Sequence, residues 1–456
     1  MTGWRGRVAL VVAAAVVLAI AITTAVVVLV LRPGGRHPTA ARPGPTPVAP
    51  APSPVLLPGR AGPLPTSAGV GRALAGLLRD SRLGSRLSYS VVDADTGQAL
   101  AAGDAARPAT PASVTKLTTA FAVLAGPGPL ARITTRVVTG AAPGDIVLVG
   151  GGDPTLSVDG QQAYPGAPRL DVFAAAIRTA YGRPIRRVIV DGSAYTGPAA
   201  GRGWDSDLVS SGNVAPITAV MVNGGRVNSV QRSRSTAPDL AAGQALARLL
   251  GVPASAVSRG TAPPGAAAVT SVVSATFSVL VEEMLAASDN VLAEALARQV
   301  AISRHQPASF DGAAAAVRVT LAGAGIDVGS LRLVDGSGLS RLDLIPAGLL
   351  TGLLSAASRD DRPRLRALLT GLPVAGFTGT LDSRYRVGAT RVAAGEVRAK
   401  TGTLSGVSTL AGVVRDTDGR LLAFAVLADR VPAGGTRGAE AALDAVATAL
   451  SRCGCR

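Results

Sequence analysis

The stretch TPASVTKLTT, residues 110–119, holds one of only two lysines in this 456-residue chain. The other is Lys400, and every remaining member of the 45 basic residues is arginine. Arginine stays charged at any accessible pH, whereas lysine can release its proton and act as a base. Ser113 stands three residues before Lys116, which makes the two neighbours on a helix surface. The flanks predict that helix. Thr110 suits an N-cap and Pro111 the first helical position. Val114, Leu117, Phe121 and Leu124 then follow on one face, up to Gly126. Ser113 is therefore expected in the first turn, near helix N–H groups that favour developing negative charge. A serine hydroxyl is a weak nucleophile and needs a base. The two histidines offer little, since His37 lies in a proline-rich segment and His305 stands alone past a helical run. Lys116 is the remaining candidate, provided that burial or a nearby cation depresses its pKa.

Outward from this stretch, the chain divides by composition. Val8–Leu31 is a run of 24 uncharged, mostly apolar residues with Arg5 and Arg7 before it and Arg32 and Arg36 after it. It is long enough to span a bilayer and is read as a signal-anchor, a cleaved secretory signal being the alternative. Residues 33–65 carry 11 of the 31 prolines and read as an extended spacer. GRALAGLLRDSRL (71–83) has helical apolar spacing, and LSYSVVDADTGQALAAG (87–103) reads as two strands about an Asp-Thr-Gly turn. Residues 133–268 are rich in short strand-like pieces (TTRVVTG, DIVLVGGGD, RRVIVDGS) and close with a helical piece at 239–250. A helical region at 274–302 breaks at Ser288-Asp289-Asn290. EVRAKTG (396–402), VSTLAGVVRD (407–416) and RLLAFAVLAD (420–429) predict an antiparallel meander with a turn at Asp418-Gly419, followed by a helix over 436–451.

The net charge of +16 includes six arginines and no acid within residues 1–70, leaving a scattered +10 elsewhere. With aromatics at 3%, stacking platforms for nucleic acid are scarce, so a nucleic-acid partner is not expected and an anionic polymer or membrane surface suits the charge better. Cys453 and Cys455 cannot build a zinc site unaided; a terminal C-x-C is an exposed disulfide or a free thiol pair.

S-x-x-K alone is a weak signal. Here SDN (288–290) and KTG (400–402) follow it in order, and both lysines of the chain fall inside these motifs. The three together resemble the motif set of class A β-lactamases and penicillin-binding proteins. The first interval, 175 residues from Ser113 to Ser288, is long beside the 112 from Ser288 to Lys400, which points to an inserted domain. With PASVTKLTTAFAVL (111–124), LVGGGDPTLS (148–157), MLAASDNVLAEALAR (284–298), VDGSGLSR (334–341) and GEVRAKTGTLSGVSTLAGVV (395–414), residues 70–450 resemble the D-alanyl-D-alanine carboxypeptidase/endopeptidases of the type-4 (class C) penicillin-binding proteins, peptidase family S13. GGGDPTLS has no role fixed by the sequence, a strand-ending turn being as good a reading as a functional one.

The resemblance implies an α/β (α+β) fold: a transpeptidase-like catalytic domain over 69–132 and 269–456, with a smaller β-rich domain, 133–268, inserted between the first two motifs. Residues 1–32 and 33–68 would be anchor and spacer, placing the catalytic part outside the membrane. It also implies that Ser113 is acylated by the penultimate D-alanine of a peptidoglycan peptide and by β-lactams, with Lys116 as base. Ser288 would relay a proton to the leaving amine, and Asn290 would hold the substrate or Lys116. Lys400, Thr401, Gly402 and Thr403 would bind substrate, with the N–H groups of Ser113 and Thr403 forming the oxyanion hole. No metal or cofactor is implied. The rival expectations are a serine β-lactamase, which would need a well-placed deacylating glutamate, and a non-catalytic wall-binding scaffold.

Overall fold

The computed structural model describes residues 62–456. The anchor and most of the spacer fall outside the described residues, and among the described residues no helix is long and apolar enough to cross a membrane. The chain enters through α1 (Ser67–Leu74), then β1 (Leu87–Asp93), β2 (Ala99–Gly103), the two-residue β3 (Pro108–Ala109) and α2 (Lys116–Ala125). The expected 71–83 helix is shorter and earlier than its periodicity suggested, giving way to 3₁₀ turns at Leu77–Arg79 and Ser81–Leu83. Next come β4 (Thr134–Thr139), β5 (Asp145–Val149), α3 (Leu170–Tyr181), β6 (Arg187–Asp191), α4 (Pro238–Leu250), β7 (Val257–Arg259) and β8 (Ala268–Val273). The helices α5 (Phe277–Ala286), α6 (Asn290–Ser303) and α7 (Phe310–Gly323) follow, then β9 (Ile345–Pro346), α8 (Ala347–Ser358) and α9 (Arg366–Thr370). The meander β10 (Val397–Leu404), β11 (Val407–Arg415) and β12 (Leu421–Ala428) leads into α10 (Thr436–Ser451).

The meander and the first hairpin join in one antiparallel sheet of order β10-β11-β12-β1-β2. Strands β11 and β12 are buried on both faces, because side chains alternate between two helical layers. Leu410, Val414, Phe424 and Val426 pack with Leu443, Val446 and Leu450 of α10. Ala411, Val413, Ala423 and Ala425 face the other way, toward Leu350, Leu353 and Leu354 of α8. Behind α8 lies α2, every residue of which from Lys116 to Leu124 is buried. The expected one-sided stripe is thus a helix wrapped on all sides by α5, α6, α7 and α8. At the far edge, the Thr66 N–H donates to the Cys455 carbonyl at 2.7 Å. Cys453 and Cys455 are joined as a disulfide, and Cys453 is buried rather than exposed.

Residues between α2 and α5 build a second sheet, β7-β6-β5-β4-β8. Its β5–β6 and β6–β7 pairs are parallel, since α3 and α4 are the crossovers that parallel neighbours require. Leu170, Phe173, Ile177 and Leu246 of these helices cover Ile146, Leu148, Val188 and Val190. Helix α3 was not foreseen.

Candidate active site

The SVTK stretch departs from its expected form in a way that matters. Ala112–Thr115 is a 3₁₀ turn entered through Pro111, without a side-chain cap from Thr110, and the α-helix begins only at Lys116. Ala112 sits at φ 50°, a left-handed conformation that costs a non-glycine residue of order 1 kcal/mol or more. The turn leaves Ser113 half exposed while Lys116 is fully buried beneath it.

Lys116 Nζ makes three hydrogen bonds: to Ser113 Oγ at 2.9 Å, to Asn290 Oδ1 at 2.7 Å and to the Ser337 carbonyl at 2.7 Å. Two of these partners can only accept. A neutral lysine would give them its two N–H groups, leaving its lone pair for the Ser113 hydroxyl. Burial pushes the Lys116 pKa down to about 8, against the opposing pull of Asp335, Glu294, Asp289 and Asp343.

Asn290 is the first residue of α6. Before it, Ser288 takes φ 54°, and Asp289 caps the helix by accepting the Leu292 N–H at 2.9 Å. The other Asp289 oxygen accepts from Tyr164 Oη at 2.9 Å and Arg226 Nη2 at 3.2 Å. The amide of Asn290 donates to the Asn213 carbonyl at 2.9 Å. Ser288 is half-buried, and its side chain has no hydrogen-bond partner among the described residues.

Ser337 reaches Lys116 through a loop shaped by one carboxylate. Asp335 accepts the N–H groups of Ser337 (3.1 Å), Gly338 (2.7 Å) and Ser340 (2.7 Å), and the Trp204 indole N–H at 2.8 Å. Gly338, at φ 81°, has to be glycine, because a Cβ there would collide with the Ala112 carbonyl of the Ser113 turn. Below the loop, the fully buried Glu294 accepts the Gly336 N–H at 3.0 Å and pairs with Arg298 at 3.2 Å. Burial, then the Asp335 charge, pushes Glu294 up to about 7.

Strand β10 is the edge of its sheet. A Cβ on Gly402 would sit 2.7 Å from the Pro111 carbonyl and 3.1 Å from the Ser113 nitrogen, so this glycine lets the strand lie against the Ser113 turn. Val397 and Ala399 turn their backbone groups outward, meeting Ala375 and Pro373. By the two-residue repeat, the Thr401 and Thr403 groups point to the same edge. Their hydroxyls bond elsewhere, Thr401 with Thr380 at 2.8 Å and Thr403 to Glu440 at 3.3 Å. Lys400 is fully buried with Nζ on the Thr401 carbonyl at 2.9 Å. Burial, and then the Lys116 charge, holds it well below the ordinary lysine range. The structure thus brings Lys116 onto Ser113 and Asn290, lays Gly402 against the Ser113 backbone, and sets the Lys400 amine near Lys116, while the Ser288 hydroxyl bonds none of them.

Sequence reasoning missed Ser337, Asp335, Glu294, Tyr164 and Arg226. Only the DGSG string of 335–338 carried a signal, an Asx-type turn. GGGDPTLS follows β5 and is docked on α6 through Gln299 Nε2 to the Gly151 carbonyl at 2.8 Å.

A serine in a tight turn under an edge strand, its hydroxyl meeting a buried lysine amine at the start of the following helix, has the form of a serine-type hydrolase site. Residues 70–234 and 228–450 match the model of the D-Ala-D-Ala carboxypeptidase 3 (S13) family. A carboxypeptidase of Mycolicibacterium smegmatis, DacB, is 41% identical over 100% of this chain and 99% of its own. The D-alanyl-D-alanine carboxypeptidase of Actinomadura sp. R39 is 29% identical over 77% of this chain and 79% of its own. In fold, the chain is similar to penicillin-binding protein 4 of Haemophilus influenzae, with TM-score 0.64 and 21% identity over 78% of this chain and 92% of that one. The chain belongs to the S13 family and is a serine-type carboxypeptidase.

Proposed function

We propose that the chain removes the terminal D-alanine of peptidoglycan peptides through an acyl-enzyme on Ser113, and that β-lactams acylate the same oxygen. One observation carries this assignment: two pure acceptors claim two positions of the buried Lys116 amine, and the third faces Ser113 Oγ. Neutral Lys116 takes the hydroxyl proton as Oγ bonds to the penultimate D-alanine carbonyl. The N–H groups of Ser113 and Thr403 receive the oxyanion, the second from the open edge of β10. The C–N bond then breaks, with the proton returning through Ser288 to the leaving amine. Water cleaves the ester by the reverse route, restoring Ser113. Asn290 and the Ser337 carbonyl keep the lysine aimed. Among the described residues no glutamate touches Ser113 Oγ, and Glu294 is buried against Arg298, which favours a peptidase over a β-lactamase. The apolar run of residues 8–31 holds this catalytic part at the outer face of the membrane, with the proline-rich segment as spacer.

The test is Ser113→Ala with labelled penicillin. Covalent labelling disappears while the melting temperature stays near that of the parent. Stoichiometric labelling of the variant would remove Ser113 from its role.

A further inference from the structure

Beside the Ser288-Asp289-Asn290 segment lies a cleft of about 610 Å³ that the proposed chemistry does not use. Arg226, Arg234, Arg248, Asn223 and Gln244 line it, with Asp159 at the rim. Three features say what it holds. First, its cations outnumber its anions. Arg226 and Arg234 stand together against Gly224, Arg226 Nη1 donating to the Tyr164 hydroxyl at 3.0 Å and Arg234 Nη1 to the Gly224 carbonyl, with the buried Asp289 as their acidic neighbour. Arg248 is exposed on α4, and Asp159 is exposed, its carboxylate turned to the Gln161 N–H. Close like charges with one counter-ion attract an added anion.

Second, Asn223 is 97% buried, with a side-chain oxygen that has no hydrogen-bond partner. A buried orphan acceptor costs roughly 1–3 kcal/mol and calls for a donor, an N–H or O–H, delivered from the cleft. Third, Arg226 belongs to both places. It lines the cleft while its Nη2 lies 3.2 Å from Asp289, the residue between Ser288 and Asn290.

We propose that this cleft is a second binding site, for a carboxylate-bearing segment of wall peptide whose amide N–H meets Asn223. A carboxylate beside an amide satisfies both the charge surplus and the orphan oxygen, whereas a phosphodiester supplies charge without the donor. The proposal rests on the wall-peptide reading of the active site, and the two are separable by experiment.

The full-length chain is first acylated with penicillin, which fills the catalytic groove. The acylated protein is then titrated with N-acetyl-L-alanyl-γ-D-glutamyl-L-lysine. Parallel titrations use the same peptide with its glutamyl carboxylate amidated, and inorganic phosphate. The free-acid peptide binds, and amidation weakens it by roughly tenfold or more, the value of a charge-assisted hydrogen bond. Arg248→Gln, on an exposed helix face, and Asn223→Gly, which keeps the φ of 50° accessible, each weaken it similarly. No binding to the acylated chain, or equal binding of the amidated peptide, overturns the proposal. Phosphate binding as tightly as the peptide overturns the peptide assignment. The penicilloyl adduct mass reports on the active site independently, so either reading can fail alone.

Discussion

Lys116→Arg is the substitution that asks most of the site. The parent lysine, held at about 8, is neutral in about one molecule in ten at pH 7 and in about nine in ten at pH 9. Acylation should therefore climb about tenfold per pH unit below 8 and level off above it. A guanidinium with its pKa above about 12 is neutral in fewer than roughly one molecule in 10⁵ at pH 7, and it has no lone pair to turn toward Ser113. Asn290 Oδ1 and the Ser337 carbonyl would still be satisfied, so the loss falls on proton transfer, about 10²–10⁴-fold. The assay is the pseudo-first-order rate of penicillin labelling from pH 6 to 10, with melting temperatures to exclude unfolding. A parent rate that is flat over that range, or an arginine variant within tenfold of the parent at pH 7, would refute Lys116 as the base.

The same lysine links pH to stability. Its folded pKa of about 8 lies below the ordinary lysine value of 10.5, so the folded state carries a penalty on the order of 3 kcal/mol below pH 8, relieved as pH rises toward 10.5. Denaturant melts of parent and Lys116→Met should show the difference shifting toward the parent across that window; no shift would mean that burial does not depress this lysine. Arg226→Gln removes one of the two cations that face the buried Asp289, Arg234 remaining, so the acid limb of acylation should move to higher pH and stability should fall by roughly 1–3 kcal/mol, the cost of a lost charge-assisted hydrogen bond. An unmoved limb would mean that Asp289 does not influence Lys116. A reporter fused after residue 70 should be active outside the cytoplasmic membrane, and activity confined to the cytoplasm would overturn the membrane assignment.

What the sequence made legible depended on the kind of atom involved. Ser113, Lys116 and Asn290 meet through side chains whose chemistry is rare enough to be noticed, above all in a chain with two lysines. The meander was readable because short apolar runs, rich in β-branched residues in β11 and broken by a Gly turn, permit few other structures. By contrast Ser337 contributes a backbone carbonyl 221 residues from Lys116, and any residue type has one. Tyr164 and Arg226 lie 125 and 63 residues from Asp289, in stretches with no periodic pattern to betray them. Helix α3 did carry a signal, since Leu170, Phe173, Ala174, Ile177 and Tyr181 recur at helical spacing before Gly182.

The failed N-cap at Thr110 is more instructive. Local preference favoured an ordinary helix start, and tertiary contacts overrode it. Gly402 and Gly338 press on the residues before Lys116 from two sides, and Ala112 at φ 50° bends the chain between them. An unstrained helical first turn would have no reason to place Ser113 at the surface with its lysine buried directly below. On the mechanism proposed above, the departure from the local rule lies at Ser113 because the site needs one member of the pair open to substrate and the other dry enough to lose its proton. That requirement sets the turn, and the two glycines make it possible.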